Sequence, residues 1–256
     1  MSKDPINRDA PSAREAARLL ARLVEGRPGI HERIEGTPLQ PAVRLLREWQ
    51  SARLARTHQD FLSDPRYRPA TEFFLSDVYA PRDFSQRNHD IQKAYDSMRK
   101  AVPERALQAL AQTIELHDFT NDLDARLAAV LVVNLGVTDT ITPEQYAEGY
   151  RRCDNYDDRV RQIDMIIGIG RNVDRLVRLP FVGLTLRLAH VPANLAGWHE
   201  LQDFLERGFS AFKHMNGADS FLNTVADRER SILDRIYAGH PEPFAIGAAG
   251  RPQGPA

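Results

Sequence analysis

The chain has 256 residues, 42% of them hydrophobic and 27% charged, an ordinary globular composition whose length admits one large domain or two small ones. Its 34 Lys and Arg against 35 Asp and Glu give a net charge of −1, which excludes a global field that would steer it to nucleic acid or to an anionic membrane. Cys153 is the only cysteine, so an intramolecular disulfide is excluded and a reducing compartment is suited.

The opening stretch, MSKDPINRDAPSAREAARLL, carries charges throughout and lacks the apolar core of a secretory signal. No apolar run approaches the ~20 residues a membrane helix needs. The expectation is a soluble, cytoplasmic protein with no membrane insertion and no nucleic-acid partner. Residues 1–11 read as disordered, 12–238 as one all-helical domain, and 239–256, GHPEPFAIGAAGRPQGPA, as a disordered Gly/Pro/Ala-rich tail.

In chain order, Ser12 with Glu15 in capping-box position opens a helix that runs to Gly26. After the Gly/Pro link GRPGIHERIEGTP, a long helix spans 39–63 and stops at DPRYRP. A short helix over 70–79 ends before Pro81, and Asp83, with Gln86 three residues on, caps a helix reaching residue 100. Pro103 starts a helix to residue 119, and Asn121 or Asp122 starts another that ends at Gly136. TPEQ, residues 142–145, is a capping box with Pro143 in the first turn. Helices follow over 155–178, 180–190, 198–215 and 218–238. Helical rather than alternating periodicity throughout gives an all-α fold class: a single compact domain of nine or ten helices.

Several chemistries have no motif here. No histidine follows a Glu by three residues, as a di-iron bundle requires, and HERIE and HELQD share only two letters with the zincin motif. GIGRNV at 168–173 lies inside a helical pattern rather than after a strand, so it is not a dinucleotide-binding loop. There is no P-loop and no nucleophile elbow, and one cysteine cannot build a thiolate metal site. No cofactor is named by any of these patterns.

What remains is polar residues at positions where the helical period calls for apolar ones. On the long helix the inward row reads Val43, Leu46, Gln50, Leu54, His58, Phe61, and further on Leu107, Leu110, Ile114, His117. Asp77 shares a face with Phe73 and Phe74 and, if buried, needs a donor, for which His58, His117, Arg82 and Arg87 are candidates. The acidic row Asp154, Asp157, Asp158, Asp164 reads with Arg152, Arg159 and Arg161 as a solvated, self-paired face.

These residues open three readings beside a purely structural one, in which the aromatics are core anchors and the polar groups caps. In the first, the protein binds or regulates through a small or apolar ligand. Asp77 is then a buried acceptor, Tyr79 a hydroxyl donor, Arg82 and Arg87 anion binders beside Asp83, and His58 and His117 polar liners. In the second, His89, the doublet His117–Asp118 and Asp158 or Asp164 hold a metal for phosphate hydrolysis, as in HD-domain enzymes, although the Gly-Lys that usually follows their doublet is missing. In the third, Leu201, Phe204, Leu205, Phe209 and Phe212 form a homodimer surface.

The stretches FFLSDVYAPRDFSQR (73–87), TIELHDFTNDLDARLA (113–128) and LQDFLERGFSAF (201–212) resemble a family of uncharacterised bacterial helical proteins with the pattern Phe-Phe-Leu-x-Asp-x-Tyr-Gly-Pro-x-Asp-Phe. The resemblance spans roughly residues 45 to 238 and implies a helical fold without implying an activity. Ala80 stands where the pattern has Gly, so the turn before Pro81 does not need a positive φ. The His-Asp doublet is not part of the pattern.

Overall fold

Proline in the first turn marks the start of three helices, and a threonine cap joins it at one of them. The computed structural model describes residues 39–78, 104–195 and 199–245 of the chain. Helix α1 (Gln40–Thr57) has Pro41 in its first turn; α2 (Gln59–Ser63) follows at once. Helix α3 (Arg68–Phe73) starts with Pro69 and winds directly into a π-helical turn, Phe74–Val78. After α4 (Glu104–Leu135) comes α5 (Pro143–Cys153), whose capping box is formed as read: Gln145 N–H donates to Thr142 Oγ1 at 3.2 Å and Thr142 N–H to Gln145 Oε1 at 3.0 Å. The remaining helices are α6 (Tyr156–Val177), α7 (Val182–Leu195), α8 (His199–Met215) and α9 (Asp219–Tyr237). Among the described residues there are nine α-helices and no strand, packed as one all-helical domain.

Two predicted boundaries move, each for a tertiary reason. The predicted single helix over 39–63 breaks at His58, where Arg228 of α9 takes the freed Thr57 carbonyl at 3.1 Å and grips the Asp60 carboxylate at 2.8 and 2.7 Å. The two helices predicted over 103–136 are instead one helix of 32 residues. Thr120 and Asn121 had the chemistry to cap a new helix, but Thr120 accepts a hydrogen bond from Gln162 at 2.9 Å and Asn121 one from Arg47 at 2.7 Å. The helices predicted over 12–26 and 83–100 lie outside the described residues.

Helix α6 is the central post, packing against α4, α7, α8 and α9. Its Gly170 makes the crossing with α9 close: a Cβ there would stand 2.6 Å from Leu222. Two apolar clusters fill the domain. One joins α1, α4, α5 and α9 through Leu46, Leu127, Leu131, Tyr146 and Ile236; the other joins α2, α6, α8 and α9 through Phe61, Ile167, Phe212, Met215 and Leu222. Packing continues beyond α9, because Phe244 lies edge-on to Trp49 and Tyr146. Among the described residues no helix is long and apolar enough to cross a membrane.

Candidate functional site

The two clusters border a common cavity of about 160 Å³ between α1, α4, α5, α6 and α9, with the π turn contributing to its wall. Helical spacing explains the lining. His117, Thr120, Asn121 and Asp124 recur at three- and four-residue steps on α4, Tyr146 and Tyr150 do so on α5, and Phe221, Leu222, Val225, Glu229, Ile232 and Ile236 trace one face of α9. Leu54, Phe74, Leu75, Ile163 and Ile166 complete the apolar part.

The polar part is a network that ties four helices together. Gln50 donates to Asp124 at 3.2 Å and to the Tyr146 hydroxyl at 3.4 Å, and Tyr146 donates to the Tyr150 hydroxyl at 2.9 Å. Asp124, 2% exposed, has Arg47 Nε at 3.9 Å and an Arg159 nitrogen at 3.8 Å. Arg159, 3% exposed, also donates to Gln162 and to the Leu123 carbonyl and lies 4.5 Å above the Tyr150 ring. Elsewhere in the lining, one Arg53 nitrogen bonds both oxygens of Glu229 at 2.6 Å, and His58 Nε2 lies 3.3 Å from Glu229 Oε1. An Arg228 nitrogen is 3.4 Å from His58 Nδ1, so the partners assign the tautomer with its proton on Nε2.

The two carboxylates of the lining are pushed in opposite directions. Burial raises Asp124 above the usual carboxylate value, and the nearby arginines with the Gln50 hydrogen bond do not fully offset it. Burial also pushes Glu229 up, but the Arg53 charge and the hydrogen bonds from His58 and Arg53 overcome it and hold Glu229 at about 2. Among the described residues, Arg53 Nε and Arg159 Nε are buried without a hydrogen-bond partner.

The residues singled out from the sequence fall in different places. His58 and His117 line the cavity, and Gln50 bridges its network. Asp77 is buried, but it faces α8, where Arg207 reaches it at 2.6 Å and Ser76 at 2.8 Å; Arg207 was not among its expected donors. Phe73 is an anchor there, with Phe204 at 5.3 Å and Gly208 giving the ring room. Tyr79, Arg82, Asp83, Arg87 and His89 lie outside the described residues. Asp118, beside His117, is exposed. Among the described residues no group of three His, Cys, Asp or Glu side chains is placed to hold a metal ion. Of the five residues read as a homodimer surface, Leu201 and Phe212 are buried within this chain, and Phe204, Leu205 and Phe209 are half-buried.

Arg159 is the exception to the reading of the acidic row and its arginines as mostly a solvated, self-paired face. Arg161, Asp157 and Asp164 are exposed, but Arg159 stands one and two turns before Ile163 and Ile167 on the inner row. Asp124 was missed for a related reason: a helix start placed at Asn121 or Asp122 hid its place between Ile114 and Leu131 on one inward stripe. Arg53, Tyr146, Tyr150 and Glu229 were missed too, and the signal for each was a polar group at a core spacing.

No curated protein and no solved structure matches the chain. A family model described as a domain of unknown function, DUF8198, matches residues 30–243, so the chain belongs to that family.

Proposed function

We propose that the protein is a binding or regulatory protein that holds a small organic molecule in the cavity between α1, α4, α5, α6 and α9. One observation carries the reading: a cavity of about 160 Å³ between five helices, lined by both hydrocarbon and polar side chains. A cavity of roughly 150 Å³ suffices for a molecule the size of benzene. The polar groups are held on helices by one another, which keeps them in register for a ligand. Phe74 and Leu75, from the stretch read as one wall of a site, support that role. The protein would work in a reducing compartment such as the cytoplasm, which the unpaired Cys153 suits.

Native mass spectrometry of gently isolated, untagged protein tests the proposal. A discrete organic adduct is expected on the wild type and absent from Val225→Phe, which fills the cavity. An adduct of equal occupancy on both proteins would contradict it.

A further inference from the structure

Helix α7 is apolar on the side that packs and also on the side that does not. Inward, a Cβ on Gly183 would stand 2.8 Å from the Phe209 ring, the Leu186 carbonyl accepts a hydrogen bond from Gln202 at 2.7 Å, and Ala193 is buried. Outward, Phe181, Leu184 and Leu188 follow one another at three- and four-residue steps, 73%, 54% and 68% exposed, and Leu179 adds to them from the bend after α6. Thr185, exposed between them, turns its hydroxyl hydrogen back onto the Phe181 carbonyl at 2.9 Å. A contiguous exposed apolar row of this kind marks an interaction surface.

The segment that carries the row is basic. Residues 175–199 contain no Asp or Glu, although the chain has 35 of them, and do contain Arg175, Arg178 and Arg187. Arg178 is paired with Asp174 of its own helix, whereas among the described residues the exposed Arg175 and Arg187 make no ion pair. Arg187, three residues after Leu184 and next to Leu188, borders the row. On α8, Glu206 is engaged by His190 and Gln202, and the exposed Glu200 and Asp203 pair with neither arginine.

Hydrocarbon bordered by unpaired arginine suits the headgroup region of an anionic bilayer, where Phe and Leu reach the acyl boundary and guanidinium groups meet lipid phosphates. Four apolar side chains are few for a stable protein interface, which engages about 20–30 residues a side. A second copy packed on the same row would also set arginine against arginine. We propose that α7 docks the protein on a membrane surface that carries anionic lipids, with Phe181, Leu184 and Leu188 at the acyl boundary and Arg187 against lipid phosphates. The contact is peripheral, and with a net charge of −1 the attraction is local to this segment. The cavity reading does not depend on it.

Co-sedimentation of the full chain with vesicles tests the proposal. Binding is expected to equimolar phosphatidylcholine and phosphatidylglycerol, and at least tenfold weaker binding to phosphatidylcholine alone. The double variant Phe181→Ser/Leu188→Ser, at two exposed positions, should weaken binding to the mixed vesicles at least tenfold, and Arg187→Gln about fivefold. Val133→Ser, at an exposed apolar residue of α4 outside the row, should leave it unchanged. Circular dichroism establishes that the variants are folded. No wild-type binding to the mixed vesicles, equal binding to both kinds, or binding that survives the double variant would each overturn the proposal. A wild-type dimer that the double variant dissolves in sedimentation velocity, without vesicle binding, would assign the row to a second copy instead.

Discussion

Glu229 and Asp124 line the same cavity yet respond to acid in opposite ways. Glu229 has a folded value of about 2, below the ordinary 4.5, so its contribution is fully present above pH 4.5 and is lost as pH falls towards 2. Glu229→Gln leaves Arg53 buried without its counter-charge, and we expect a loss of roughly 3–5 kcal/mol at pH 7. Urea denaturation should show that loss shrinking below pH 4, where the wild type forfeits the same interaction. Asp124 has a raised folded value, so its native state holds the proton more tightly than the unfolded chain does. The stability linked to that proton is complete below the ordinary 3.8 and is lost as pH rises through the raised value. The stability difference between Asp124→Asn and wild type should therefore shift in favour of the variant between pH 4 and pH 7. A difference that stays flat over that range would remove Asp124 from the buried network.

At the scale of elements, the break between α1 and α2 depends on a partner far away in sequence. Arg228 serves the Thr57 carbonyl as well as Asp60, whose side chain is 57% exposed. Arg228→Ala should cost about 1–3 kcal/mol, because it strands a helix-end carbonyl in a half-buried place. Asp60→Ala should cost under about 1 kcal/mol, because it removes only a solvated ion pair. Equal losses in thermal denaturation would mean that the ion pair, not the carbonyl, holds the break. Local chemistry made much of the fold legible: Thr142, Pro143 and Gln145 announced α5, and the spacing of apolar residues placed α6, α8 and α9 within one or two residues. It failed at Asn121 and His58, where side chains with local capping or helical options are engaged by Arg47, Glu229 and Arg228 from other helices.

For the whole molecule, the same logic decides how much of the site could be read. His58 and His117 were found because each interrupts an apolar row within its own helix. The arginine-rich part was not, because Arg47, Arg53 and Arg159 sit among neighbours that make any single helix look like an ordinary amphipathic surface. Only the packing of α4 against both α1 and α6 brings them together. The aromatic stretch at 73–78 resolves into a corner: Phe73 and Asp77 are anchored on α8 through Phe204 and Arg207, while Phe74 and Leu75 reach the cavity.

The most direct check on a ligand-sized space inside the domain is methyl NMR under xenon pressure, since xenon settles against the hydrocarbon part of a cavity of this size. Saturable shifts are expected at the lining methyls of Ile163, Ile166, Leu222 and Val225, with little change at Leu127 and Leu131, core residues outside the lining. Shifts absent from the lining methyls, or spread evenly over both groups, would contradict it.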